Sequence, residues 1–105
     1  MDTLLIERIL RNLVTASKQF KIEWASVTKS SDSFTVDLGD TSVFIAMIRN
    51  SFYLIINNKN GDEIGRLSGI LYEDQLKELF ELAKRKALKV DDSLNNLNDV
   101  LSKLI

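Results

Sequence analysis

Hydrophobic positions repeat along the chain in two different periods, first helical, then alternating, then helical again. Ile6, Ile9, Leu10, Leu13 and Val14 are spaced three and four apart, while Arg8, Arg11, Thr15 and Lys18 fall on the other side. This is the signature of an amphipathic helix, here from about Thr3 to Ser17 with Asp2 or Thr3 as N-cap. Phe20, Ile22 and Trp24 then alternate with Lys21 and Glu23, which predicts a first strand. The parity slips after Trp24, because the next large apolar residue is Val27, and a bulge or strand end near Ala25-Ser26 accounts for it. Lys29 to Ser33 has the composition of a turn.

Four more strands follow. The second is Phe34 to Leu38, ended by Gly39-Asp40, a two-residue hairpin signal with glycine first. The third runs from Thr41 to Arg49, and Asn50-Ser51 is a short turn before the fourth, Phe52 to Asn57. Asn58 to Asp62 contains Asn-Gly, a hairpin signal, and Glu63 to Ser68 makes a weaker fifth strand. No connection is long enough for a parallel crossover, so the sheet is an antiparallel meander. Helix two, from about Tyr72 to Lys89, has Leu76, Leu79, Phe80, Ala83, Ala87 and Val90 on its apolar face. Its exposed side carries Glu73, Lys77, Glu81 and Arg85 at i,i+4 spacing with alternating sign. Asp91 or Asp92 caps a last helix, with Leu94, Leu97, Leu101 and Leu104 at 3-4-3 spacing. The expected architecture is α+β: one domain over residues 1–105, with an N-terminal helix, a five-stranded antiparallel meander sheet and two C-terminal helices.

The turn signals also set a register. Gly39-Asp40 pairs Leu38 with Thr41, so Val36 faces Val43 and Phe34 faces Ile45. A turn at Asn50-Ser51 pairs Met47 with Leu54 and Ile45 with Ile56. One face then collects Phe34, Val36, Leu38, Val43, Ile45, Met47, Phe52, Leu54 and Ile56, and an even-numbered slip leaves that set unchanged. The opposite face holds Thr35, Asp37 and Ser42, but also Phe44, Ala46, Ile48, Tyr53 and Ile55, with Ile64 from strand five. A water-facing antiparallel sheet alternates apolar-in and polar-out, and here strands three and four break the alternation. Either a helix of the same chain covers this face, or another chain meets it, or it lines a ligand pocket.

Composition narrows the functions open to such a fold. The 105 residues include 14 basic and 15 acidic side chains, no Cys, no His and no Pro. That excludes disulfides, a thiolate nucleophile, the usual zinc and transition-metal sites, and the commonest acid–base side chain near neutral pH. A net charge of -1 offers no surplus for a phosphate backbone, so no nucleic-acid partner is expected. Asp2, Glu7 and Arg8 break up a signal-peptide pattern, and no run is long enough to span a membrane. The expectation is a cytoplasmic protein with no membrane partner and no cofactor.

Individual motifs favour structural roles. Lys84-Arg85-Lys86 with Lys89 spreads around a helix and reads as a solvated face rather than a nucleic-acid patch. Asn58-Lys59-Asn60-Gly61 has Ile56 and Leu67 where a calcium loop needs acids. Gly39, Gly61, Gly65 and Gly69 form no phosphate-binding loop, and Gly65 and Gly69 suit a bulge and the approach to helix two. Asp91-Asp92 and Asp37-Asp40 sit where acids serve the backbone, so no catalytic residue is expected. Trp24 shares parity with Phe20 and Ile22 and belongs in the core, while Tyr53 lies on the second face. The last helix, with two heptads, packs on the domain's own core or on an identical chain.

Leu71-Tyr72-Glu73, with Ala83, Ala87-Leu88, Val90-Asp91 and Leu94, resembles the end of a recurrent small bacterial α+β domain. That domain begins with a helix, enters its sheet through an aromatic such as Trp24 and finishes with two helices. The resemblance implies the same layout and a bacterial cytoplasmic origin, and carries neither an activity nor site residues. The functional expectation is a non-enzymatic interaction domain, adaptor-, chaperone- or immunity-like, that binds a protein partner or a second copy of itself. Its surface is centred on Phe44, Ile48, Tyr53, Ile55 and Ile64. The alternative is a small-molecule sensor or carrier with an apolar pocket between sheet and helices, lined partly by Trp24 and Phe80.

Overall fold

In the computed structural model the described residues are 3–19, 21–27 and 32–105, and Asp2, Phe20 and Lys29 to Ser31 lie outside them. The elements are α1 (Thr3–Lys18), β1 (Ala25–Ser26), β2 (Ser33–Asp37), β3 (Thr41–Ile48), β4 (Ser51–Asn58), β5 (Glu63–Ser68), a 3₁₀ turn (Ile70–Tyr72), α2 (Glu73–Ala87) and α3 (Val90–Leu104). The sheet has the order β1-β2-β3-β4-β5 and every pairing is antiparallel. This is the α+β meander that the periodicity predicts.

The first hairpin forms as the glycine dictates. Gly39 takes φ 97°, Leu38 N–H donates to Thr41 O at 2.9 Å, and Asp37 Oδ1 accepts from Gly39 N–H at 3.0 Å. Val36 pairs with Val43 and Phe34 with Ile45. The second hairpin turns one residue earlier than predicted, at Arg49-Asn50, both with positive φ. Asn tolerates the left-handed region, which a two-residue turn of this hand needs at both central positions. Met47 therefore pairs with Phe52, and Ile45 with Leu54. The shift relative to the predicted register is two residues, so every side chain keeps its face. The third hairpin closes over Lys59-Asn60-Gly61, with Asn58 N–H donating to Asp62 O at 2.8 Å and Gly61 at φ 88°. Asn58 Oδ1 accepts from Asn60 and Asp62 N–H, so this side chain is spent on the turn. Beyond it the β4–β5 ladder slips between Ile56 and Asn57.

The predicted first strand is displaced. Strand pairing begins only at Ala25, opposite Thr35, while Lys21 to Trp24 runs as an unpaired link from α1. The reason lies in Trp24. Its indole is 5% exposed and its Nε1–H donates to Ser17 Oγ at 2.9 Å, which draws this stretch toward α1 and away from β2. Ser17 is itself fully buried and donates to Leu13 O at 2.7 Å. Trp24 is a core residue, as its parity suggests.

Both α1 and α2 pack on the same face of the sheet. Ile6, Leu10, Leu13 and Val14 of α1 and Leu76, Leu79, Phe80 and Ala83 of α2 join Phe34, Val36, Val43, Ile45, Leu54, Ile56 and Leu67 in one core. Phe80 meets Phe34 and Phe52 at ring-centroid distances of 5.5 and 5.3 Å. Gly65 lets α1 approach β5, since a Cβ there would lie 3.4 Å from Ile6 Cδ1. Glu73 and Asp74 in the first turn of α2 and Lys84, Arg85 and Lys86 in its last complement the helix dipole. Tyr72 O–H donates to Glu7 Oε1 at 2.5 Å, which ties the 3₁₀ turn to α1 and raises the tyrosine pKa, burial adding to the effect.

Of the two packings expected for the last helix, the one on the domain's own core is not adopted. Its N-cap is Lys89 in the left-handed region, with no side-chain cap, so Asp91 and Asp92 lie inside the first turn rather than capping it. A left-handed residue ends α2 and redirects the chain. α3 contacts α2 and leaves the core, and Leu94, Leu97, Val100, Leu101 and Leu104 are each 48–77% exposed. The radius of gyration is 15.5 Å and the extents are 57 × 29 × 25 Å. A compact globule of this length would have a radius of about 13 Å.

Candidate functional site

Among the described residues, no helix of the chain lies on the opposite face of the sheet. Of the readings open from sequence, cover by the chain's own helices is therefore removed, because α1 and α2 share the other face and α3 packs against α2. The register arranges this open face in rows. Phe44 and Ile55 pair directly at its centre, flanked by Thr35 on β2 and Arg66 on β5. The next row is Ser33, Ala46, Tyr53 and Ser68, and the row on the other side is Asp37, Ser42, Asn57 and Glu63. An apolar centre on β3 and β4 is thus bordered by polar side chains on the flanking strands β2 and β5 and at one end. Protein interfaces have the same anatomy of apolar core and polar rim.

The five predicted interaction residues all reach this face. Phe44, Tyr53 and Ile55 are partly buried by one another and by their strand neighbours, and they surround Ala46, which is buried. Ile48 is 53% exposed beside the Arg49-Asn50 turn. Ile64 is 50% exposed at the β5 irregularity. The two lie near opposite ends of the strands, about 17 Å apart along the ladder at the usual rise per residue. Alternation with Gly65, which turns to the core beneath Ile6, places Ile64 on this side, and the irregularity at Ile56/Asn57 brings Glu63 opposite Asn57 on the same side.

The electrostatics of the face are quiet. Arg66 donates through Nη2 to Glu63 Oε1 at 2.7 Å and through Nε to Oε2 at 3.2 Å. That hydrogen-bonded fork holds the Glu63 carboxyl below the usual carboxylate range and fastens the Arg66 proton more firmly. The pair leaves no net charge on the β5 rim, and a face that must shed its water loses less by it.

The rest of the surface offers less. An open groove of about 400 Å³ between the ends of α1 and α2 is lined by Lys18, Glu78, Glu81, Leu82, Lys84 and Arg85, with Lys18 Nζ 3.7 Å from Glu78 Oε2. Its charges are of both signs, as on any solvated helix pair. A second cleft, about 480 Å³, lies where Lys21 to Glu23 splay from β2, the space vacated by the displaced first strand. Trp24 and Phe80, proposed as walls of an internal pocket, are 5% and 3% exposed and line neither cleft. Among the described residues, no group of three or more acidic, His or Cys side chains converges to hold a metal ion. No helix among them is long and apolar enough to cross a membrane.

Sequence reasoning missed the exposure of α3. Its apolar stripe was visible, but periodicity alone does not say which surface it faces. One signal does point outward: eight of the helix's 15 residues are Asn, Asp or Ser, whereas the left-handed turn at Lys89 that directs it leaves no mark in the sequence. No family model, curated protein or solved structure matches this chain.

Proposed function

We propose that this chain is a non-enzymatic protein-interaction domain that associates with a second copy or another protein through the open face of its sheet. The observation that carries the reading is the Phe44–Ile55 centre, with Tyr53, Ile48 and Ile64 around it, left uncovered while both core helices occupy the other face. A sheet face that served only as solvent boundary would carry polar side chains at these positions. Large apolar patches rimmed by polar groups mark docking surfaces. The setting is cytoplasmic in this reading, which suits the near-neutral charge and the cysteine-free composition.

The test is the association state of the purified chain and of Phe44→Lys/Ile55→Lys. Light scattering over a concentration series should show a species larger than 11.9 kDa, or a protein partner recovered stoichiometrically. The double variant should lose that association while keeping its circular dichroism and buried Trp24 emission. A chain that stays monomeric and captures nothing, or a variant that associates as before, removes the proposal.

A further inference from the structure

We infer that the occupant of the open sheet face is α3 of a second copy, the two chains exchanging their last helices reciprocally. This rests on the docking role proposed for the sheet. The first argument is that α3 needs a partner. It has 15 residues, eight of which are Asn, Asp or Ser, and no side-chain cap. Isolated helices shorter than about 12–15 residues are marginal in water even with Ala-rich sequences, and Asn, Asp and Ser are poor helix formers. Yet Leu94, Leu97, Val100, Leu101 and Leu104 fall within an arc of about 120° at 3.6 residues per turn. Asp92, Asn95, Asn96, Asp99 and Lys103 fall opposite.

The second argument is reach. A layer packed on the open face lies about 20 Å from one packed on the core face, at about 10 Å per layer. The two residues Leu88 and Lys89 span about 7 Å when extended. A chain's own α3 cannot cross to its own open face, so both surfaces stay bare in one molecule and both are supplied by a second. The third argument is fit. α3 is about 22 Å long, against about 26 Å for the eight-residue strands β3 and β4 at the usual rise. A pair of α3 helices alone would engage only the residues of one stripe, far fewer than the roughly 20–30 a side of a standard interface. Exchange uses both apolar surfaces of each copy, in two helix-on-sheet contacts per dimer.

Complementation tests this. The wild-type chain should sediment at twice 11.9 kDa. Leu97→Lys/Leu101→Lys and Phe44→Lys/Ile55→Lys should each sediment as monomers with unchanged circular dichroism. Their equimolar mixture should regain the doubled mass, since one intact helix then meets one intact sheet. In the cysteine-free background, Leu97→Cys mixed with Ile55→Cys should be joined by a short bismaleimide as the mixed pair in preference to either self-pair. A helix variant that remains dimeric overturns the exchange and leaves sheet-to-sheet docking standing. A sheet variant that remains dimeric overturns the exchange and the sheet-docking reading together. A mixture that stays monomeric, or a wild-type monomer at every concentration, also overturns the exchange.

Discussion

Replacing Ser17 with Ala should destabilise the domain although it improves the local helix. Ser17 lies in the last turn of α1, one residue from its end, is fully buried, and its Oγ accepts from Trp24 Nε1–H at 2.9 Å. Without that oxygen the buried indole donor loses its partner. Leaving a buried donor unpaired costs about 1–3 kcal/mol. Against this, Ser→Ala gains at most roughly 0.5 kcal/mol in helix propensity, the helix-interior value, and less in a last turn. The expected net loss is about 1–2 kcal/mol, or roughly 5–10 °C in Tm for a domain of this size. Thr15→Ala is the matched control: its exposed hydroxyl donates to Arg11 O at 3.1 Å, so it should be neutral or slightly stabilising. Urea melts followed by emission of the single Trp, Trp24, would measure both. In a Trp24→Phe background the Ser17→Ala penalty should largely disappear, a coupling on the order of 1 kcal/mol. Equal effects of Ser17→Ala and Thr15→Ala, or no coupling to Trp24, would refute the argument.

Two further outcomes follow from particular contacts. Gly65→Val should drive Ile6 and Ile56 off their positions, where a bare Cβ already meets Ile6 Cδ1 at 3.4 Å, and cost about 1–3 kcal/mol in thermal or urea melts; an unchanged midpoint would show that α1 yields freely. In Tyr53→Phe the sole remaining tyrosine, Tyr72, should titrate above the usual value near 10 because Glu7 accepts its proton. A pKa raised on folding adds stability that is complete below the unfolded value and lost as pH rises through the folded one, so the effect belongs to the alkaline limb. A phenolate absorbance transition at or below pH 10 would contradict the contact.

Much of this was legible from the chain because period and turn chemistry act locally. Gly39 with positive φ placed the first hairpin to the residue, and two-fold alternation assigned Phe44, Tyr53 and Ile55 to the second face even though the next turn moved from Asn50-Ser51 to Arg49-Asn50. Face assignment survives an even slip, whereas pair identity does not. The first strand was lost because Trp24 answers to Ser17, seven residues back on a helix, and alternation cannot register a cross-element hydrogen bond. The course of α3 was lost because a left-handed Lys89 sets it, and Lys gives no hint of that conformation as Gly would.

The strand order carries a kinetic consequence. Each strand pairs with its nearest neighbour in sequence, so the sheet can zip hairpin by hairpin at small loop-closure cost. α1 is different: its partners are α2 and β5, separated from it by most of the chain. During synthesis α1 emerges well before either of them, and its Ile6–Leu10–Leu13 stripe stays bare until the sheet and α2 have been made. The interval between those events, rather than the folded molecule, is when this protein is most open to aggregation.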